Sequence, residues 1–239
     1  MVEQGLAENA AKAQALIMAG VVLAGTRRID KAGEMLKPDT VLTVKGKDFP
    51  WVSRGGLKLV KGLDESGIDP AGFVCLDVGC STGGFTDVLL SRGAARVYAV
   101  DVGYGQLAQK LRVDERVVVL ERTNARYLTA EQIPEPVDLI VCDASFIRLE
   151  TVLPAPLSFA KKSGAHLIAL IKPQFEVEKY QVGENGVVRD PALHRSVCEH
   201  IREWLETLPG WTVQGICQSP IKGPEGNIEF LIAADYAAG

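Results

Sequence analysis

Four charged side chains stand where an ordinary core would not keep them. Lys172 ends the apolar run 168–171 in "IALIKPQFE" and is followed at once by Pro173. Asp143 closes "VDLIVCDAS", Glu229 interrupts the apolar "NIEFLIAADY", and Lys58 lies in "SRGGLKL". Burying an unpaired charge is costly, so each group is either turned to solvent or held against a partner. A lysine held at the carboxyl edge of a sheet, where open α/β folds bind ligands, could take a proton from a weakly acidic group. It can do so only in its neutral form, which desolvation or a neighbouring cation favours.

A second cluster lies in "LDVGCSTGGFTDVLL", residues 76–90. A strand ends near Asp77 and Val78, a loop holds Gly79, Ser81, Thr82, Gly83 and Gly84, and Thr86 opens a helix expected to be amphipathic. Glycines let a backbone turn sharply and approach a ligand closely. The next strand ends in Asp101 of "YAVDVG", about 20 residues after the first glycine, where a carboxylate can take both ribose hydroxyls of a nucleoside cofactor. The glycines read G-x-x-x-G-G, not the G-x-G-x-x-G that seats a pyrophosphate on a helix N-terminus. NAD and S-adenosylmethionine both fit the acidic residue. Asn124 in "ERTNARYL" can meet an adenine or cap a turn.

The elements that must position these groups follow from the apolar runs. "GFVCLDVG", "ARVYAVDVG", "RVVVLER", "VDLIVCDAS" and "AHLIALIKP" alternate with helix-like segments, the pattern of parallel strands covered on both faces. "WTVQGICQSP" and "NIEFLIAADY" are joined without a helix and read as an antiparallel pair finishing the sheet. Before residue 48 the chain has another character: a helix over 10–19 stopped by Gly20, then short β-like pieces. "DFPWV" is the expected linker, because Pro50 breaks both periodicities.

With 239 residues, 47% hydrophobic and 23% charged, the chain has an ordinary globular composition. No apolar run is long enough to span a bilayer, and no signal peptide precedes the first helix. The five cysteines, Cys75, Cys80, Cys142, Cys198 and Cys217, form no CxxC pair and read as reduced thiols of a cytoplasmic protein. His166, His194 and His200 show no ligand spacing, so no metal is expected. The net charge is −4, yet residues 1–61 carry ten basic side chains (Lys12, Arg27, Arg28, Lys31, Lys37, Lys45, Lys47, Arg54, Lys58, Lys61) against six acidic ones. That asymmetry fits a local phosphate-binding face, for which Lys12, Arg27, Arg28 and Arg54 are the candidates. The segment from Phe175 to Arg189 leaves the same edge as Lys172 and reads as a lid or a surface loop.

The glycine loop resembles motif I of class I methyltransferases, which favours S-adenosylmethionine over NAD. "DASF" departs from the N/D-P-P-Y/F motif of amino-group methyltransferases, which argues against an exocyclic nitrogen as target. The order Lys58, Asp143, Lys172, Glu229 is similar to the K-D-K-E tetrad of FtsJ-like ribose 2′-O-methyltransferases. "KAQALIMAGVV", "WVSRGGLKL", "YAVDVGYGQL", "CDASFI", "LIKPQFE" and "GVVRDPALH" together resemble the TlyA, or hemolysin A, family over essentially the whole chain.

The resemblance implies a Rossmann-like class I methyltransferase fold, a mostly parallel seven-stranded sheet with a C-terminal antiparallel pair. It also implies an N-terminal S4-like α+β RNA-binding domain over 1–47, a linker over 48–53 and the methyltransferase domain over 54–239. It further implies S-adenosylmethionine as methyl donor and a cytidine ribose of ribosomal RNA as acceptor. Lys172 would be the base, Lys58 the cation that favours its neutral form, and Asp143 and Glu229 the groups that orient the lysines. The cofactor would meet Asp77, Gly79, Ser81, Thr82, Gly83, Gly84, Phe85, Thr86, Asp101, Val102, Asn124, Asp143 and Phe146. One departure stands out. An S4 domain usually opens with an R-L-D-x-x-L helix, and a sequence beginning Met1-Val2-Glu3 reads as lacking most of it. Two other functions compete: the membrane lysis that the older family name suggests, and an RNA-binding module with an inactive methyltransferase fold. Lysis calls for an exposed amphipathic or membrane-spanning segment, and none is seen. The intact loop and tetrad count against the inactive module.

Overall fold

The computed structural model describes residues 1–238 apart from 5, 8, 19, 30, 38–39 and 45–48; the side chains at 12, 15 and 224 are also outside the described part. Lys45 and Lys47, the side chain of Lys12 and the start of the expected linker therefore lie outside the described residues. The chain forms two units, Met1–Pro50 and Trp51–Gly239.

The first unit holds α1 (Ala10–Met18) and a small antiparallel sheet in the order β2-β1-β3, from β1 (Val22–Ala24), β2 (Arg27–Arg28) and β3 (Leu42–Val44). Gly20 follows the helix at φ 69°, a left-handed conformation that glycine adopts without a Cβ penalty. Val22 and Ile29 are buried, while Arg27 and Arg28 are exposed on β2. Arg27 reaches Glu34 at 2.5 Å.

The second unit runs α2 (Gly56–Ser66), β4 (Val74–Val78), α3 (Gly84–Ser91), β5 (Arg96–Val100), α4 (Gln109–Arg112), β6 (Val117–Leu120), β7 (Leu139–Cys142), α5 (Leu149–Val152), α6 (Pro154–Leu157), β8 (Ala165–Ile171), α7 (Pro173–Glu176), α8 (Pro191–Thr207), β9 (Trp211–Gln218) and β10 (Phe230–Tyr236). Its seven strands lie in the order β6-β5-β4-β7-β8-β10-β9. β4 to β8 pair in parallel, and β10 runs antiparallel to both β8 and β9. This is the mostly parallel sheet with an antiparallel finish that the apolar runs predict.

Alternate residues of each central strand feed two cores. Leu76, Ile140, Leu167 and Ala169 pack with Val197, Ile201 and Leu205 of α8. Cys75, Val141, Ile168 and Leu170 pack on the other face with Leu59 and Leu63 of α2 and Val88 and Leu89 of α3. Burial on both faces explains why these strands read as continuous apolar runs. The chain leaves β4 toward β5 and β6, then returns to β7 and β8 on the other side. The reversal opens a crevice at the carboxyl ends of β4 and β7.

α3 departs from expectation. It begins at Gly84, and every residue from Gly84 to Leu90 is buried, so it is not amphipathic. It is covered by α2 as well as by the sheet. Gly56 allows that approach, because a Cβ there would lie 3.0 Å from Val88 and 2.9 Å from the Trp51 ring. Gly62 likewise sets α2 against β8, with Ile168 2.8 Å from the position of its missing Cβ.

Candidate functional site

Strand register brings the four charges to one edge. Cys142 pairs with Ala169, so Asp143 and Lys172 leave adjacent parallel strands at the same end. β10 is antiparallel with Phe230 opposite Ile171, which puts Glu229 level with Lys172. α2 delivers Lys58 from its first turn. The four form an alternating row. Lys172 Nζ lies 2.7 Å from Asp143 Oδ1, Asp143 Oδ2 lies 3.5 Å from Lys58 Nζ, and Lys58 Nζ lies 2.7 Å from Glu229 Oε2. Both 2.7 Å contacts are off-axis ion pairs and not aligned hydrogen bonds.

Lys58, Lys172 and Glu229 are all buried. Two cations against two carboxylates leave the row formally neutral, the condition under which buried charges are tolerated. Lys172 also donates to the Asp143 carbonyl at 3.0 Å and to Ser145 Oγ at 2.8 Å. Lys172 therefore faces the interior of the site and not open solvent.

The glycine loop is laced to neighbouring strands. Asp101 Oδ2 accepts from Ser81 N–H at 2.7 Å and Oδ1 accepts from Gly103 N–H at 2.7 Å, tying the ends of β4 and β5 together. Asp77 and Thr86 are fully buried behind the loop, and Asp77 Oδ2 accepts from Thr86 N–H at 3.0 Å and from its hydroxyl at 2.7 Å. Burial pushes the Asp77 carboxyl up to about 7 against those hydrogen bonds. The loop glycines also serve packing within the protein. Gly83 has φ 96° and packs against Leu107 and Leu111, Gly84 packs against Ser53, and a Cβ on Gly79 would lie 2.9 Å from Ala144 Cα. Each makes room for another part of the protein.

Two clefts open at this edge. One, of about 410 Å³, is lined by Gly79, Ser81, Asp101, Val102, Gln106, Asn124, Asp143, Ser145, Phe146 and Ile147, among others. The other, of about 330 Å³, is lined by Ser53, Arg54, Lys58, Ser81, Thr82, Gly84, Phe85, Asp143, Ser145 and Lys172, among others. Gly79, Ser81, Asp143 and Ser145 line both. Three residues expected at a cofactor, Asp77, Gly83 and Thr86, line neither and support the loop from behind. Asn124 caps a turn, its Oδ1 accepting from Arg126 N–H at 3.1 Å, and it also lines the first cleft.

With this geometry in view, the FtsJ-like methyltransferase family profile matches residues 51–236. The chain belongs to that family. It is 51% identical over 234 residues to the 16S/23S rRNA (cytidine-2′-O)-methyltransferase TlyA of Mycobacterium tuberculosis, covering 97% of this chain and 86% of that one. It is 40% identical over 231 residues to Hemolysin A of Brachyspira hyodysenteriae, covering 95% and 94%. Among solved structures, a candidate hemolysin from Streptococcus thermophilus superposes with a TM-score of 0.77 at 41% identity, covering 98% of this chain and 86% of that one.

Sequence reasoning missed Ser145 in this FtsJ-like site, and it missed how Phe146 and the segment after Lys172 are held. Ser145, which touches Lys172, sits between two residues the motifs had drawn attention to, and nothing in its type marked it. Phe146 is exposed, holds φ at 64° and packs on Phe175 at 4.9 Å between ring centroids. A positive φ at an aromatic residue is a backbone property that sequence does not announce. The segment after Lys172 is fastened: Val187 and Val188 are buried, and Asn227 accepts from Val188 N–H at 3.1 Å while donating to the Gly186 carbonyl at 3.0 Å. Among the described residues, no helix is long and apolar enough to cross a membrane, and no group of side chains is arranged to hold a metal.

Proposed function

We propose that this FtsJ-like protein transfers a methyl group from S-adenosylmethionine to the 2′-hydroxyl of a cytidine ribose in ribosomal RNA, in the cytoplasm where ribosomes are made. The observation that carries the reading is the row Lys172, Asp143, Lys58, Glu229, whose Asp143 lies on the wall shared by two clefts. The relatives named as rRNA (cytidine-2′-O)-methyltransferases support the choice of acceptor.

The first cleft fits the methyl donor. Its volume of about 410 Å³ suits a nucleoside-sized ligand. Asp101 keeps acceptor capacity for ribose hydroxyls beyond the two backbone bonds it makes. Asn124 and the apolar flanks of Val102, Ile147 and Phe146 suit an adenine, and the carboxylate of Asp143 suits a sulfonium. When bound, the cofactor supplies an electrophilic methyl on sulfur. The protein's part is to align the acceptor hydroxyl and receive its proton. Lys172 is the base in this reading, and Asp143 holds its amine in place. Glu229 keeps Lys58 paired, so that neither lysine is buried alone.

The second cleft, with Arg54 at its mouth, receives the RNA strand. Residues 1–47 are read as the S4-like RNA-binding domain, 48–53 as a linker and 54–239 as the catalytic domain, with Lys12, Arg27 and Arg28 meeting phosphates. The test is transfer of tritiated methyl from S-adenosylmethionine to ribosomal subunits lacking the modification, followed by mapping of ribose methylation. Incorporation at a cytidine 2′-oxygen is expected. Absence of incorporation into either subunit would overturn the reading.

A further inference from the structure

We propose that Ser145 is a proton relay between the acceptor hydroxyl and Lys172; this rests on the ribose-methylation reading above. The observation that sets it apart is a contrast in access. Lys172 is 6% exposed, whereas Ser145 is an exposed residue, and its Oγ lies 2.8 Å from Lys172 Nζ. Lys172 lines only the cleft that contains Lys58 and Arg54. Ser145 lines both. A hydroxyl brought to the shared wall, where a methyl held in the first cleft can be reached from the second, therefore meets Ser145 before it meets the amine.

The partners of Lys172 narrow the route further. Three oxygens surround its Nζ: Asp143 Oδ1, the Asp143 carbonyl and Ser145 Oγ. A carboxylate and a backbone carbonyl accept hydrogen bonds and have no proton to give. A serine hydroxyl does both. It can accept from the ammonium and, once the amine is neutral, rotate to donate to its lone pair. Among the described groups in contact with Nζ, Ser145 alone can both accept from the ammonium and donate to the lone pair of the neutral amine.

The step begins after the Lys172 ammonium of the resting row has released a proton to water, leaving the amine neutral. The ribose 2′-oxygen uses a lone pair to bond the methyl carbon, and the carbon–sulfur bond breaks with its electron pair passing to the sulfonium sulfur. The 2′-proton moves to Ser145 Oγ as the proton of Ser145 moves to Lys172 Nζ. The products are a methyl ether, a neutral thioether, an unchanged serine and an ammonium beside Asp143. Lys172 then returns its proton to water.

The experiment compares wild type, Ser145→Ala and Ser145→Thr with S-adenosylmethionine and ribosomal subunits under single-turnover conditions, alongside binding of S-adenosylhomocysteine and of subunits. Ser145→Ala is expected to lose about 100-fold or more in methyl transfer, while both binding constants stay within about threefold of wild type. Ser145→Thr restores the hydroxyl and should recover most of the rate. Rates of the wild type in mixtures of light and heavy water should follow a bowed curve, the mark of two protons in flight. A straight-line dependence, or a Ser145→Ala enzyme as fast as wild type, would mean that the ribose hydroxyl reaches Lys172 directly, and the relay would be abandoned. If the wild type itself transfers no methyl to either subunit, it is the ribose-methylation reading that fails.

Discussion

At the scale of single residues, the site is a row of charges that cannot be thinned one member at a time. Removing one partner of a buried ion pair leaves the other uncompensated, at a cost of about 3–5 kcal/mol. Glu229→Ala is therefore expected to lower thermal stability as well as activity, since Lys58 would lose its 2.7 Å partner. Lys172 has a different signature. Lys172→Ala should abolish methyl transfer while S-adenosylhomocysteine still binds, because the amine lines the cleft opposite the one assigned to the cofactor. Lys172→Arg should be nearly as inactive, because a guanidinium stays protonated and cannot accept the proton. Calorimetry beside a methylation assay checks both, and an active Lys172→Arg enzyme would reduce the residue to an electrostatic positioner. Lys172 was legible in sequence because a charge beside an apolar run demands an explanation. Ser145 was not, because an exposed serine in a loop demands none.

At the scale of elements, the sheet was readable because burial on both faces wrote itself as five apolar runs. The tetrad's assembly was only half readable. Asp143 and Lys172 end parallel strands, but Glu229 reaches them through the antiparallel register of β10, a pairing set by contacts distant in sequence. The glycine loop shows the opposite limit: the residues were found, but the packing that also requires them was not. Gly83 combines φ 96° with contacts to Leu107 and Leu111. Gly83→Ala should therefore cost about 2–4 kcal/mol of stability, from the left-handed conformation together with overpacking. Denaturant unfolding measures this directly, and a loss of only about 1–2 kcal/mol would show that Leu107 and Leu111 move aside and leave the left-handed conformation as the whole cost. Asp101 acts on the same loop from the far end. Asp101→Ala should weaken S-adenosylhomocysteine binding strongly, both by removing a ribose acceptor and by releasing Ser81 N–H and Gly103 N–H. Unchanged binding would take Asp101 out of the site.

At the scale of the whole molecule, two dependences on conditions follow, one on pH and one on salt. Glu176 accepts from Leu149 N–H at 2.9 Å. Burial raises its carboxyl from an ordinary 4.5 to about 7, against that hydrogen bond and Arg148, with Glu150 adding to the rise and His200 opposing it. The folded protein keeps this proton where the unfolded chain has lost it, so stability should fall as pH rises from about 4.5 to about 7. Asp77 shifts in the same direction. Glu176→Gln should therefore flatten the slope without abolishing it, gaining about 1–2 kcal/mol relative to wild type between pH 5 and pH 8. The salt dependence belongs to the first unit. The seven-stranded sheet, both clefts and the charged row lie within residues 51–239, whereas Arg27 and Arg28 are exposed on β2 of Met1–Pro50. Removing residues 1–50 should leave S-adenosylhomocysteine binding unchanged and weaken binding to ribosomal subunits. Binding that releases counterions from phosphates falls linearly in log affinity with log salt. The truncated protein should show a shallower slope as well as lower affinity, whereas loss of an uncharged contact would lower affinity at constant slope. Equal affinity and equal slope for the two proteins would remove the first unit from RNA binding and leave Arg54, at the mouth of the second cleft, as the candidate phosphate contact.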